Sequence, residues 1–119
     1  METQIARPMP TFRQGDVVRV PFPYTDRSTR QRRPALVVSN GGVGDQGAFL
    51  WVLMITSADN RPWPRDVSFG DGYETAGLPA PSVVRTAKIA TIDASAAEPV
   101  GRIEMEMMLR VRNAIVGVI

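Results

Sequence analysis

The residues with the clearest chemical potential are four arginines within seven positions: Arg27, Arg30, Arg32 and Arg33. Arginine carries a planar, permanently charged guanidinium group whose donors match the oxygens of a phosphate or a carboxylate. The stretch around them, residues 26–33, has no large apolar side chain, so it must lie in water or against an anion. Apolar stretches flank it on both sides. We therefore expect a loop held at both ends by buried strands, which is a common place for a binding or catalytic site.

The composition removes several kinds of catalytic chemistry. The 119 residues include no cysteine and no histidine. Disulfides and thiolate metal sites are therefore excluded, as is the side chain that most often serves as acid, base or metal ligand near neutral pH. Any catalysis must use arginine, lysine, carboxylates, hydroxyls or backbone groups. The sequence predicts no cofactor and no metal site.

Length and charge set the class of protein. A chain of 119 residues fits one domain with its own core. Residues 1–14 are polar and contain two prolines, so we expect a flexible arm ahead of a single domain over residues 15–119. The net charge of +2 is a weak indication of a nucleic-acid partner, and the clustering of arginine is a better one. No signal peptide or membrane-spanning run is visible, which predicts a cytoplasmic protein without a membrane partner.

Short apolar stretches between Gly/Pro turns predict the elements that would position the arginines. Strands are expected at residues 16–22, 33–39, 49–55, 67–69, 82–85 and 88–92. Residues 93–99 predict a turn, and the apolar spacing from Ile103 to Val118 predicts a helix over residues 101–119. Trp51 lies in the most apolar strand and is expected in the core. The pattern favours a mainly β, α+β fold, a small antiparallel barrel with one C-terminal helix.

The order of several short segments resembles a known family. The segments are GDVVRV at residues 15–20, RPALVVS at 33–39, MITS at 54–57, SVVR at 82–85, TID at 91–93 and GRI at 101–103. In this order and spacing they resemble the MazF/PemK family of toxin–antitoxin ribonucleases over about residues 15–119. The resemblance implies an SH3-like barrel with a C-terminal helix, usually as a homodimer. It also implies metal-independent cleavage of single-stranded RNA, usually mRNA, and inhibition by a cognate antitoxin protein.

Cleavage of RNA without a metal needs three groups. A base takes the proton of the ribose 2′-OH that attacks the adjacent phosphorus, a cation stabilises the phosphorane, and an acid protonates the leaving oxygen. The products are a 2′,3′-cyclic phosphate and a 5′-OH. By the resemblance, Arg33 is the phosphate clamp, Thr56 holds a phosphate oxygen, and Arg85 matches an arginine that some members use in catalysis. Further RNA contacts are expected from Arg30, Arg32, Ser57, Trp63 and Tyr24.

The same residues also fit structural roles. Without the resemblance, Arg33 fits a solvated arginine at a strand end, and Thr56 fits a hydroxyl bonded to backbone at a strand exit. Trp63, in a proline-bounded polar loop, either stacks on a base or packs at a dimer or antitoxin interface. Tyr24, beside the arginine-rich loop, is a second candidate for stacking.

The general base is absent from both places where the family has it. Members often carry a glutamate five residues before the key arginine, where this chain has Ser28. In the branch that uses the arginine at position 85, the base is a carboxylate two residues later, where this chain has Ala87. Asp26 is the nearest carboxylate to the first position, and Asp59 and Asp66 are alternatives.

Three functional hypotheses follow. The leading one is a sequence-specific endoribonuclease toxin. The missing carboxylates favour a second, a member that binds RNA or antitoxin without cutting. A third is a DNA gyrase poison, since gyrase-inhibiting toxins share the fold. The presence of both Arg33 and Thr56 disfavours this last hypothesis.

Overall fold

Six strands and one helix make up the part of the chain that the computed structural model describes, residues 11–21 and 32–118. The strands are β1 (Asp16–Pro21), β2 (Arg32–Val37), β3 (Phe49–Ser57), β4 (Val67–Ser68), β5 (Ser82–Asp93) and β6 (Glu98–Arg102), and the helix is α1 (Met105–Val116). All strand pairs are antiparallel, in one curled sheet with the order β4-β5-β3-β2-β1-β6. The predicted mainly β fold with one C-terminal helix is confirmed.

Both faces of the sheet are buried, which explains why its central strands are almost continuously apolar. Successive residues of a strand point to opposite faces. On β1 and β2, Val18 and Ala35 face one core, called the inner core here, whereas Val17 and Leu36 face a second one beneath α1, called the outer core. Met107, Met108 and Val111 of α1 complete the outer core. Phe12, which lies within the predicted N-terminal arm, is buried in the inner core.

The turn expected in residues 93–99 is present as a short 3-10 helix at residues 94–96, but the interpretation of residues 98–104 was wrong. Residues 98–102, expected to span a turn and the start of the helix, form the edge strand β6, which pairs with β1. Pro99 and Gly101 weaken the strand signal, but an edge strand tolerates proline because one side of its backbone needs no partner. The helix accordingly begins at Met105 rather than at Gly101.

Two further expectations changed in detail. The strands expected at residues 82–85 and 88–92 are one strand, β5, with a register shift between the pairs Leu53–Ile89 and Met54–Arg85. Trp51 is not in the core, because its side chain is 48% exposed. It lies on the outer face of β3, where the outer core beneath α1 ends at Leu53.

Candidate active site

An open cleft of about 370 Å³ lies where β2 begins and β3 ends. Its lining includes Arg32 and Arg33 of β2, Thr56 and Ser57 of β3, Asn60, and residues 78–82. Ala35 pairs with Met54, and continuing this register by two residues brings Arg33 opposite Thr56. Opposite residues of an antiparallel pair have side chains on the same face and close together. The fold therefore brings together the two residues that the sequence singled out, which are 23 positions apart.

Arg33 and Thr56 continue the inner face of the sheet beyond the point where the inner core ends. Ala35 and Val37 of β2, with Val52 and Met54 of β3, belong to that core. Because side chains alternate along a strand, Arg33 and Thr56 follow on the same face. The face that carries the inner core thus ends in a pair of polar side chains at the cleft.

Arg33 has a buried donor that finds no acceptor in the described part of the chain. Its Nε lies out of contact with solvent, and no described residue accepts a hydrogen bond from it. A buried N–H that is left unpaired costs about 1–3 kcal/mol, so such groups in native proteins usually have a partner. A phosphate oxygen that reached Nε would be a suitable acceptor, because guanidinium donors match phosphate.

Thr56 has a partner that sequence reasoning missed. The side-chain Nδ2 of Asn60 donates a hydrogen bond of 2.6 Å to Thr56 Oγ1. The hydroxyl oxygen therefore acts as acceptor, and its own hydrogen remains available for another acceptor. Asn60 comes four residues after Thr56, in a hydroxyl- and amide-rich strand exit. The polar composition of this exit indicated that some side chain would bond to the strand end, but it does not indicate which one bonds to Thr56.

Ser57 and Arg32 line the cleft with their polar groups partly engaged elsewhere. Ser57 Oγ accepts a hydrogen bond from the backbone amide of Asp59 at 3.1 Å. Arg32 Nη2 donates to the backbone oxygens of Ala96 and Arg19, and its Nε lies 3.5 Å from a carboxylate oxygen of Glu98. Arg32 thus ties the start of β2 to the region of β6.

The opposite wall of the cleft is the segment 78–82, to which the sequence attached no function. The amide of Ala58 donates to Pro81 O at 3.0 Å, and Ser82 Oγ donates to Ala80 O at 2.8 Å. The segment before it packs tightly on β6. A Cβ on Gly101 would lie 2.2 Å from Ala76 O, and one on Gly77 would lie 2.6 Å from Val100 O. The wall is therefore fixed at both ends.

Arg85 lies on the neighbouring strand but does not line the cleft. Its guanidinium binds Asp66 through two contacts, Nε to Oδ1 at 3.2 Å and Nη2 to Oδ2 at 2.9 Å. Nη2 also donates to Arg61 O at 2.9 Å. The guanidinium carbon stands 4.4 Å from the centroid of the Trp63 ring, and Lys88 Nζ is 5.2 Å from that centroid. Trp63 is thus half-buried between cations, and the use of Arg85 in catalysis stays a prediction.

Asp66 is a poor candidate for the general base. Burial acts to raise its pKa, but hydrogen bonds from the Arg85 side chain and the Trp63 amide, with the charge of Arg85, outweigh burial. The pKa of this carboxyl therefore lies below its ordinary value. A carboxylate that holds its charge this firmly accepts a proton weakly.

The structure describes only some of the other predicted site residues. Tyr24, Asp26 and Arg30 lie outside the described residues. Asp59 is exposed and is not among the residues that line the cleft. Within the described residues, the lining contains no carboxylate, and no group of three or more acidic residues is placed to hold a metal ion. No described helix is long and apolar enough to cross a membrane.

Comparison with solved structures finds the same fold. MazF in the MazE–MazF complex of Deinococcus radiodurans (crystal form II) superposes with a TM-score of 0.68 at 22% identity, covering 91% of this chain and 94% of that one. A mycobacterial endoribonuclease in complex with its cognate antitoxin gives 0.63 at 19% identity, covering 88% and 89%. The Mycobacterium tuberculosis toxin MazF-mt6 gives 0.61 at 18% identity, covering 84% and 92%.

Sequence comparison is consistent with that fold and more specific. No curated protein sequence matches this chain. The model of the PemK-like, MazF-like toxins of type II toxin–antitoxin systems matches residues 13–119. This match includes every strand, the helix and the whole described lining of the cleft. The chain therefore belongs to the PemK-like, MazF-like family of type II toxins, as its sequence segments indicated.

Proposed function

We propose that this protein is a sequence-specific endoribonuclease that cleaves single-stranded RNA, in particular mRNA, without a metal ion. A base takes the proton of the 2′-OH, which attacks the adjacent phosphorus, and the bond to the 5′-oxygen breaks as that oxygen takes a proton from Arg33. The products are a 2′,3′-cyclic phosphate and a 5′-OH end. Arg33 binds the phosphate, and Thr56 donates its hydroxyl hydrogen to a phosphate oxygen. Endoribonuclease activity is the general function of the family.

The observation that carries this proposal is the buried Nε of Arg33, which has no acceptor among the described residues and belongs to the strand position opposite Thr56. A guanidinium and a hydroxyl that line the same cleft suit an oxyanion whose charge grows during the reaction. Because they are held before the substrate arrives, they lose little free energy to reorganisation in the transition state.

The partners follow from the family resemblance, whereas the base is assigned to the carboxylate nearest to the position where members often carry one. Asp26, in the arginine-rich loop ahead of Arg33, is the proposed base, and Arg30 and Arg32 are proposed contacts of the RNA backbone. A cognate antitoxin protein is the proposed inhibitor, and the proposed toxin is a cytoplasmic homodimer. The two related structures solved as toxin–antitoxin complexes support the inhibitor.

The test is cleavage of a long, unstructured RNA in the presence of EDTA, comparing wild type with Arg33→Ala and Thr56→Ala. We expect cuts at one short motif with cyclic phosphate ends. Each variant should lose at least about 100-fold in rate, as enzymes do when one oxyanion donor is removed. Arg112→Ala is the matched control, because Arg112 is an exposed arginine on α1, away from the cleft.

A second candidate function has its own observation. The described lining of the cleft contains no carboxylate, which favours a member that binds RNA or antitoxin without cutting. Wild-type protein that binds the RNA and yields no fragments over hours would support this candidate and contradict the endoribonuclease. Cleavage that survives Arg33→Ala would leave the RNase activity but refute the assigned site.

A further inference from the structure

Arg85 matches an arginine that some family members use in catalysis, but it does not line the cleft. Its side chain is 8% exposed and the carboxylate it binds is 11% exposed. Every acceptor of its hydrogen bonds in the described residues belongs to the loop between β3 and β4, residues 58–66. The guanidinium is thus turned into this loop, and the loop, rather than the cleft, takes up its donors.

The loop in turn controls one of the two proposed phosphate donors. Arg85 Nη2 holds the carbonyl of Arg61, and the residue before it, Asn60, donates to Thr56 Oγ1. Asp66 closes the far end of the loop, because its Oδ2 also accepts the backbone amide of Trp63 at 2.9 Å. The ring of Trp63 stacks on the same guanidinium. One buried cation therefore fixes the loop at three points: Arg61, Trp63 and Asp66.

We propose that Arg85 is a positioning residue: with Asp66 it clamps the 58–66 loop so that Asn60 keeps the Thr56 hydroxyl directed into the cleft. Asn60 is the link between the clamp and the cleft. Its amide occupies the acceptor side of Thr56 Oγ1, so the hydroxyl hydrogen points away from the loop. A hydroxyl that accepts a bond from an amide is also polarised and becomes a stronger donor. This inference rests on the proposed function for its catalytic consequence, but not for its structural content.

The two possible roles of Arg85 predict opposite behaviour of Asp66→Asn. If Arg85 contacted RNA, weakening its hold on Asp66 would leave the arginine free to act, and the rate would be kept or raised. If Arg85 positions the loop, Asp66→Asn should lower the rate constant of cleavage as Arg85→Gln does. Both losses should match that of Asn60→Ala, roughly five- to tenfold for one misplaced hydrogen bond.

The kinetic experiment is a single-turnover assay on the cleaved RNA with a double-mutant cycle. We expect Asp66→Asn and Asn60→Ala to be non-additive, so that the double variant is no slower than Asn60→Ala alone. Affinity for an RNA with a 2′-deoxy nucleotide at the cleaved position should stay within about twofold, since a positioning residue contributes little to ground-state binding. The proposal would be overturned if the rate losses of Asp66→Asn and Asn60→Ala multiply in the double variant. Weaker binding of this RNA by Arg85→Gln would overturn it as well.

The structural experiment does not depend on cleavage. In a ¹⁵N spectrum, the Asn60 side-chain amide is the pair of signals that Asn60→Ala removes. We expect Asp66→Asn and Arg85→Gln to shift this pair and to speed its exchange with water by about tenfold or more, as expected for loss of a formed hydrogen bond. If the pair is unchanged in both variants, the clamp does not control Asn60 and the proposal fails, whether or not wild type cuts RNA.

Two further variants separate positioning from loss of folding. Thr86→Val is the matched control, because Thr86 Oγ1 holds the same loop through Arg65 O at 2.8 Å, away from Asn60. It should keep the wild-type rate and the wild-type Asn60 signals. Arg85→Gln leaves Asp66 buried and unpaired, which can prevent folding. The double variant Arg85→Gln/Asp66→Asn removes both charges. We expect it to show a cooperative thermal unfolding transition, which demonstrates that it is folded, and still to lose the wild-type Asn60 signals.

Discussion

At the scale of single residues, the cleft combines a side chain whose buried donor has no described acceptor with one that is oriented by a neighbour. Arg33 Nε is buried without a hydrogen bond in the described residues, whereas Thr56 is oriented by Asn60. The first arrangement lowers the stability of the free protein, and the second does not. Strain of this kind at a site is useful because the substrate relieves it, so stability and activity should separate on mutation.

Arg33→Met tests this separation. Methionine keeps an unbranched apolar stem but removes the buried donor, so we expect the free energy of unfolding to rise by about 1 kcal/mol. RNA cleavage should be lost. Urea unfolding measures the first quantity and the RNA assay the second. Inorganic phosphate should raise the melting temperature of wild type but not of the variant. A clear loss of stability in Arg33→Met would mean that Nε is satisfied in the native protein.

At the scale of elements, the site depends on strand register, which no local pattern contains. The sequence located β1, β2, β3 and β5 and picked out Arg33 and Thr56. The pairing that sets them opposite each other follows from Ala35–Met54 and appears only in the folded sheet. Asn60 and the clamp at Arg85 were missed for the same reason, because both are contacts between a loop and a distant strand. Pro99 and Gly101 concealed β6, whose stability comes from pairing with β1 rather than from its own propensity.

Gly77 and Gly101 allow the segment before the cleft wall to pack closely on β6, and Gly101 gives a prediction at this scale. Gly101→Ala would place a Cβ 2.2 Å from Ala76 O, which is backbone that cannot rotate away. We expect a loss of about 2 kcal/mol in the free energy of unfolding, as for overpacked sites, and an altered position of Leu78 at the cleft. Gly72→Ala is the control. A Cβ there meets nothing within 4 Å, so its effect should stay within about 0.5 kcal/mol. Equal stabilities of the two variants in urea would contradict the close packing.

At the scale of the whole molecule, one sheet serves two cores and carries the cleft at the end of one of them. Most apolar residues of the strands are used by the inner and outer cores, and few polar groups are buried with them. Among the described residues, the buried side chains that are polar or charged are Ser39, Ser82, Arg85 and Thr86. Arg85 is the one charge in this set, so its partner Asp66 should affect the stability of the entire fold.

This pairing predicts how stability changes with pH. The pKa of Asp66 is lower in the native state than its ordinary value, so the native protein binds fewer protons there than the unfolded chain. The stabilisation is then fully present above the ordinary carboxyl pKa of about 4 and is lost as pH falls towards the native pKa. Unfolding in urea at a series of pH values should show wild type more stable than Asp66→Asn at neutral pH. This difference in the free energy of unfolding should narrow below about pH 4, by about 1.4 kcal/mol for each unit by which the native pKa is lowered.

Glu98→Gln is the control, because the ion pair of Glu98 with Arg32 is largely exposed and such pairs contribute little. A gap that stays constant into acid would show that Arg85 does not hold Asp66 ionised. A gap that instead widens as pH falls towards about pH 5 would mean that the native pKa of Asp66 is raised, as a general base requires.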